Sequence, residues 1–209
     1  MLSRRSFLGA IGAAAFADTF PLFAAPVEPK RIAIVTTVWT YQSHAQHMGD
    51  RFLIGYARHG AWHRPPIRVV SLYVDQRPAG DLSGQRAKEH GFTVYPTIAE
   101  ALRCGGDKLA VDGIVIIGEH GDYPKNAKGQ IQYPRYEFFQ SAVGVFEKDG
   151  RAVPIFNDKH LSTDWSKCVE MVADAKRLRF PFLAGSSLPV TWRQPAIDVP
   201  RGTPLTESV

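Results

Sequence analysis

The sequence predicts a doubly wound α/β domain, a Rossmann-like fold in which helices cover both faces of a mainly parallel sheet in three α/β/α layers. Two observations predict it. Short apolar, β-branched runs alternate with longer segments of helical periodicity between residues 31 and 185. The runs are almost wholly apolar, which is typical of parallel strands buried on both faces. Right-handed crossovers between such strands place the helices on alternate faces of the sheet.

Six segments of the sequence are predicted to be strands of that sheet. Most are short runs rich in Ile and Val, the composition of buried parallel strands. Glycine or proline precedes several of them, which separates them from the preceding segment. The predicted strands span residues 31–38, 67–74, 92–95, 111–117, 152–156 and 182–184.

Five segments between the strands are predicted to be helices, at residues 43–59, 83–90, 98–103, 134–148 and 163–178. The first is indicated by apolar side chains that share one helix face as far as Tyr56 and Ala57. Gly91 and Gly150 end the second and the fourth, as glycine often does at a helix C-terminus. The last helix has one apolar stripe, formed by Trp165, Cys168, Val169, Val172 and Ala175.

The N-terminus predicts a twin-arginine export signal within residues 1–25. Arg4 and Arg5 precede a Phe-Leu pair and an apolar run over residues 9–17, which is the order of such a signal. The run is too short to span a bilayer, which takes roughly 20 residues, and small residues near Ala17 and Ala25 offer cleavage sites. We expect export by the twin-arginine translocase to the periplasm or another extracytoplasmic compartment. That route carries folded proteins, which favours a cofactor bound before export.

Length and composition predict one domain after the signal. The 209 residues are 44% apolar, enough for a single buried core. We expect the signal at 1–25, a Rossmann-like domain at 31–185, and a Pro-rich tail or the start of a missing second domain at 186–209. The formal charge of +5 is spread without a basic cluster, so no nucleic-acid partner is expected. Cys104 and Cys168 lack metal-ligand spacing, and whether they pair stays open.

Polar residues concentrate after the predicted strands. In an open parallel sheet, ligands bind beyond the carboxyl ends of the strands, where the strand order reverses. The segments that fall there, at 36–47, 75–76, 118–124, 157–160 and 185–193, contain His44, His47, Glu119, His120, Asp122, Asp158, Lys159, His160 and Arg193. We therefore expect a small-molecule ligand at this edge. We also expect no stable membrane span, and homo-oligomer formation stays open.

Several short motifs also occur in the order that one known family shows. They are Ser71-Leu-Tyr-Val-Asp75 in the second strand, Ala87-Lys-Glu-His-Gly-Phe92 and Tyr95-Pro-Thr-Ile98 around the third, Val111-Asp-Gly-Ile-Val-Ile-Ile117 in the fourth and Asn157-Asp-Lys-His160 after the fifth. Over about residues 31–185, this order resembles the N-terminal nucleotide-binding domain of the glucose–fructose oxidoreductase and inositol dehydrogenase family (Gfo/Idh/MocA).

The resemblance implies a Rossmann fold with NAD or NADP as cofactor and no metal. Lys159 corresponds to the lysine of the family's Glu-Lys-Pro motif, and with His120 it is expected to transfer protons. The residues expected near the cofactor are Thr36, Thr37, Asp75, Glu119 and Asp158. Those expected to face the substrate are His160, Asp122 and Arg193.

The chain departs from the family's pattern in three respects. No glycine lies between Arg31 and Met48, so the G-x-G-x-x-G turn that lets the backbone approach a pyrophosphate is missing. Asp158 and His160 stand where the family motif has Glu and Pro. The family's second domain, which supplies much of the substrate site, has no counterpart in this sequence.

Three functions are therefore open at the level of sequence. The leading hypothesis is an exported, oxidoreductase-related protein that binds a nucleotide or a sugar-like ligand at the carboxyl edge of the sheet. The second is a non-enzymatic periplasmic binding or scaffold module on a degenerate Rossmann fold. The third is a metal-dependent hydrolase that uses His44, His120 and His160 as ligands.

Overall fold

The structure is a computed structural model that describes residues 28–186 and 200–204. The predicted export signal, most of the predicted tail and the candidate substrate residue Arg193 lie outside the described residues. Within them, no helix is both long and apolar enough to cross a membrane. Cys104 and Cys168 both carry free thiols, so the pairing left open by the sequence is absent here.

Six parallel strands form the central sheet, and two short strands form a separate hairpin. The strands are β1 (Lys30–Thr36), β2 (Tyr56–Arg58), β3 (Ala61–His63), β4 (Ile67–Val74), β5 (Thr93–Tyr95), β6 (Gly113–Ile117), β7 (Ile155–Asp158) and β8 (Phe182–Gly185). The sheet order is β5-β4-β1-β6-β7-β8, and every pair is parallel. This order reverses between β1 and β6, which confirms the predicted doubly wound fold.

Five helices cover the two faces of this sheet. They are α1 (His44–Leu53), α2 (Ser83–His90), α3 (Ile98–Arg103), α4 (Arg135–Asp149) and α5 (Trp165–Arg177). One apolar core lies between the sheet and α3, α4 and α5, and the other between the sheet and α1 and α2. Side-chain caps begin three of the helices, since Ser43, Thr97 and Asp164 each accept hydrogen bonds from first-turn N–H groups.

The first helix is shorter than the sequence predicts. It ends at Leu53, and the predicted helical residues Tyr56 and Ala57 belong instead to the β2–β3 hairpin. The reason is Gly55, whose φ of +92° lies in the left-handed region that favours glycine. The Trp62 indole N–H then donates to the carbonyl of Ile54 at 2.8 Å, which holds the hairpin against the end of α1.

The apolar stripe predicted on the last helix faces solvent over much of its length. Trp165 is 80% exposed, Val169 51% and Val172 39%, whereas Met171 and Ala175 are buried in the core. The core-facing side of α5 is therefore narrower than the pattern indicates. Strand β7 begins three residues after its predicted start and ends at Asp158.

Candidate active site

The carboxyl ends of β1, β6 and β7 bring polar side chains from three segments together. We call them the rim cluster, which consists of His44, Glu119, His120, Asp158, Lys159 and His160. These strands are neighbours in the sheet, and parallel topology places their following turns on one edge. The contacts below show that this edge gathers most of the residues that the sequence singled out there.

A histidine–carboxylate pair lies at the centre of the rim cluster. His44 Nδ1 is 2.6 Å from Asp158 Oδ2, and Asp158 is only 7% exposed. Because an ionised carboxylate only accepts hydrogen bonds, Nδ1 is the donor, and a neutral His44 then carries its lone pair on Nε2. A carboxylate that orients a histidine in this way is the arrangement of a general base.

Local structure fixes the position of His44. It is the first residue of α1, and Ser43 before it caps the helix by accepting from the N–H of Gln46. Ser43 is itself buried and also accepts from the N–H of Thr40. His47, one turn further along α1, is not part of the rim cluster and lines a different cavity.

His120 stands beside His44, with ring centroids 5.2 Å apart in an edge-on arrangement. Its backbone has a φ of +68°, and Gly121 follows at +100°, so the turn after β6 runs through the left-handed region at both residues. Partial burial lowers the pKa of His120, the nearby His44 and Lys159 lower it further, and Glu119 and Asp158 oppose them. His120 is therefore neutral near pH 7 and can accept or relay a proton.

A buried arginine supports the rim cluster from below. Arg135, the first residue of α4, is 1% exposed. Its guanidinium donates to the Glu119 carboxylate and lies 3.0 Å from His160 Nε2. Since arginine only donates, Nε2 of His160 is an acceptor. Burial lowers the pKa of His160, and the Arg135 charge lowers it further.

Sequence reasoning did not identify Arg135. It lies inside a predicted helix. The expectation that site residues follow the carboxyl ends of the strands therefore does not include it. A signal does exist, because a basic residue in the first turn of a helix opposes the helix dipole. The structure also shows why residue 118 is a glycine, since a Cβ there would lie 2.5 Å from Arg135 Cγ.

Lys159 and His160 lie in the turn that follows β7. Lys159 has a φ of +69°, and its N–H donates to the carbonyl of Gly185 at 3.2 Å. The fully buried Asn157 steadies this turn by donating to the carbonyl of Asp158 at 3.2 Å. Among the described residues, no carboxylate pairs with the Lys159 ammonium within 4 Å, so this cation remains available to a ligand.

Asp75, expected near the ribose of a dinucleotide, is engaged by the chain itself. Its two carboxylate oxygens accept from the hydroxyls of Tyr73 at 2.6 Å and Tyr123 at 2.7 Å. Burial, together with these bonds, raises the pKa of Tyr73 to about 12 and that of Tyr123 further. Asp122 is tied to the same region through its main chain, which exchanges two hydrogen bonds of 2.9 Å with the Gln76 amide.

The turn after β1 does not fit a dinucleotide in the usual pose. Thr36 and Thr37 are fully buried. Their hydroxyls donate to main-chain carbonyls, at 3.0 Å to Ile117 and 2.6 Å to Glu119. These hydroxyls connect the turn to β6 and the residues after it, and the cofactor contact expected for Thr36 and Thr37 stays a prediction. At the ribose end of the usual site, each Asp75 carboxylate oxygen already accepts one tyrosine hydroxyl.

The described residues contain no group of three or more His, Cys, Asp or Glu side chains arranged to hold a metal ion. Two of the three histidines proposed as metal ligands, His44 and His160, already have hydrogen-bond partners. Nε2 of His160 faces the Arg135 guanidinium, and Nδ1 of His44 faces Asp158. The geometry therefore offers no support for the metal-dependent hydrolase.

No protein-family model matches this chain, and no curated protein matches it in sequence. Parts of several solved structures are similar to it. Biliverdin reductase from Synechocystis, in complex with biliverdin and NADP+, is 12% identical over 75% of this chain and 37% of that chain, with a TM-score of 0.48. A Gfo/Idh/MocA family oxidoreductase from Vibrio cholerae is 18% identical over 75% of this chain and 38% of that chain, with a TM-score of 0.47.

A third similar structure is the WlbA dehydrogenase from Chromobacterium violaceum in complex with NADH and UDP-GlcNAcA. It is 13% identical over 77% of this chain and 36% of that chain, with a TM-score of 0.47. This chain thus spans little more than a third of the length of each of these proteins. The neighbours include the family that the sequence motifs resemble, at low identity.

Proposed function

We propose that the rim cluster binds a small, sugar-like hydroxycarbonyl compound and transfers protons on it. The observation that carries this proposal is the His44–Asp158 pair, at 2.6 Å, beside the neutral ring of His120. It lies at the carboxyl edge of β1, β6 and β7, where open α/β sheets bind their ligands. The proposal keeps the expected ligand class and the proton-transfer role of His120, and adds His44 as the base.

The chemistry follows from the protonation states. Nε2 of His44 takes a proton from the carbon next to the ligand carbonyl, and Asp158 stabilises the imidazolium that forms. The electron pair of the broken C–H bond moves toward the carbonyl oxygen, where the Lys159 ammonium offsets the developing negative charge. Return of the proton to the neighbouring carbon, with His120 moving the hydroxyl proton, completes an isomerisation that needs no oxidant.

Arg135 and Glu119 position this machinery rather than react. The guanidinium holds His160 and Glu119 in place beneath the ligand and leaves the outer face of the cluster to solvent. The charge-assisted contacts of this nearly fully buried arginine keep donors and acceptors oriented before the ligand arrives.

Hydride transfer with NAD or NADP is what the family resemblance implies, and the residues present do not fit it in the usual pose. The proposed proton transfer therefore uses no nicotinamide cofactor. Titration of the protein with NADH, followed by the fluorescence of the reduced nicotinamide, tests this part. Saturable binding of NADH in the micromolar range would restore the dehydrogenase hypothesis.

Deuterium exchange tests the proton transfer directly. The full chain is incubated in D2O with dihydroxyacetone, D-fructose or D-glucuronate, and NMR follows deuterium entering the carbon next to the carbonyl. We expect exchange with at least one of them, lowered at least a hundredfold by His44→Gln, because a general base contributes about 10²–10⁴-fold. His90→Gln, on the exposed end of α2, is the control and should exchange like the wild type.

Two outcomes would refute the proposed proton transfer. One is exchange no faster than the buffer background with all three compounds. The other is exchange that persists unchanged in His44→Gln. A thermal shift with the same compounds separates a site that only binds from one that also moves protons, since the binding module predicts stabilisation without exchange.

A further inference from the structure

The exposed aromatic residues of the molecule are not spread evenly. Three of the large apolar residues that stand out to solvent, Tyr41, Ile54 and Trp62, line one cavity of about 410 Å³. This cleft lies between α1 and the β2–β3 hairpin and contains no member of the rim cluster. Its volume falls in the range of about 300–1,000 Å³ that small-molecule sites occupy.

Two of the aromatic rings that line the cleft, those of Tyr41 and Trp62, are presented in different ways. Tyr41 is 74% exposed and precedes α1, while Trp62 is 61% exposed on β3. The indole N–H of Trp62 is satisfied by the Ile54 carbonyl, which fixes the ring and leaves its face open. Gly55 forms part of the wall, because a Cβ there would lie 2.4 Å from the carbonyl of His63 and 2.9 Å from the indole nitrogen.

Polar side chains surround these rings. Gln46, His47, Asp50 and Arg51 of α1 line the same cleft. The Asp50 carboxylate accepts two bonds of 2.9 Å from Arg86, so its charge is balanced. Arg51 is then the only unpaired Lys or Arg side chain among the described residues that line the cleft.

From this arrangement we infer that the cleft is a binding site for a pyranose ring, with Tyr41 and Trp62 stacking on its apolar C–H face. A sugar ring combines such a face with hydroxyls at its edge, and those hydroxyls match the Gln46 amide and the Asp50 and Arg51 side chains at the wall. A nucleotide would bring two or more phosphate charges, for which one arginine is a poor match. This site is separate from the rim cluster and does not depend on the function proposed for it.

Calorimetric titration of the full chain with three trisaccharides tests the inference. The probes are chitotriose, cellotriose and trigalacturonate, the last of which adds carboxylates for Arg51. We expect saturable binding of at least one, with Kd raised about tenfold by Tyr41→Ala and little by Tyr41→Phe, which retains the ring. Tyr41 is the preferred site for substitution because it is highly exposed, whereas Trp62 supports the hairpin.

Matched controls distinguish the cleft from other exposed aromatics and from the rim cluster. Trp165→Ala removes an equally exposed ring from α5 and should leave the affinity unchanged. His44→Gln should also leave it unchanged, so that failure of the proton transfer and failure of this site remain separate results. Absence of binding by all three saccharides, equal affinity in Tyr41→Ala and wild type, or binding of AMP in their place would overturn the inference.

Discussion

At the scale of single residues, packing beneath the rim cluster dictates which side chains can stand there. Gly118 follows β6 and lies next to Arg135, and Arg135 occupies the space that any side chain at position 118 would need. The guanidinium is almost fully buried, so its charge is tolerable only because Glu119 and His160 are within hydrogen-bond distance. A glycine, an arginine and two rim residues thus form one structural unit.

Replacement of Gly118 by alanine should break this unit. The new Cβ would lie 2.5 Å from Arg135 Cγ, so the arginine must move, at a cost of about 1–3 kcal/mol in the free energy of unfolding. Urea denaturation measures the loss, and the NMR shifts of the His160 ring report the displacement. Gly144→Ala in α4 is the control, because nothing lies within 4 Å of its Cβ position and alanine there should stabilise by up to about 1 kcal/mol.

Arg135→Lys tests whether the charge or the planar fork matters. A lysine keeps the positive charge but cannot hold Glu119 and His160 at once in the same geometry. We expect a loss of stability, together with weaker rim activity in the deuterium exchange assay. Full exchange activity in a correctly folded Arg135→Lys protein would show that the charge alone suffices.

At the scale of elements, most helices and strands follow from local sequence, and the exceptions have local causes. Helices α2, α3 and α4 lie within one residue of their predicted bounds, because caps and glycines mark their ends. The prediction for the C-terminal part of the first helix is wrong. The left-handed conformation of Gly55 and the pairing of β2 with β3 depend on tertiary contacts, such as the hydrogen bond from Trp62 to Ile54. The exposure of the apolar stripe on α5 could not be predicted, because an apolar pattern does not show whether another element covers it.

The cap of α1 connects an element to the candidate site. Ser43→Ala removes the acceptor of two N–H groups, those of Thr40 and Gln46, and should cost about 1–2 kcal/mol of stability. It should also loosen the first turn, which carries His44, and so lower the rate of deuterium exchange. Thr97→Ala removes the equivalent cap of α3, and there we expect a similar loss of stability with unchanged exchange.

At the scale of the whole molecule, topology explains which part of the site the sequence could predict. The parallel order places the ends of β1, β6 and β7 side by side, so the convergence of His44, His120 and Asp158 follows from fold class alone. The partner of each side chain does not follow. The sequence does not predict that two tyrosine hydroxyls donate to Asp75. Nor does it predict that the threonine hydroxyls of the first turn donate to main-chain carbonyls. Most of these contacts join residues that are distant in sequence.

Two histidines of the rim cluster, His120 and His160, should also make the stability of the whole domain depend on pH. Burial lowers the pKa of both His120 and His160, and neighbouring cations, Lys159 for both and Arg135 for His160, act in the same direction against the carboxylates of Glu119 and Asp158. The unfolded chain, with histidine pKa values of about 6.5, therefore takes up protons before the folded state does. Stability is fully present above that value and falls as the pH drops through and below it.

Urea denaturation between pH 8 and pH 5.5 measures this dependence. We expect the urea concentration at the unfolding midpoint to be constant above about pH 7.5 and to decline toward pH 5.5. The reason is that the pH passes through the unfolded-state histidine pKa of about 6.5 in that interval. The double variant His120→Gln and His160→Gln should show a flatter decline, because glutamine preserves an acceptor for Arg135 and cannot be protonated. A decline of equal steepness in the double variant would assign the pH dependence to groups other than His120 and His160.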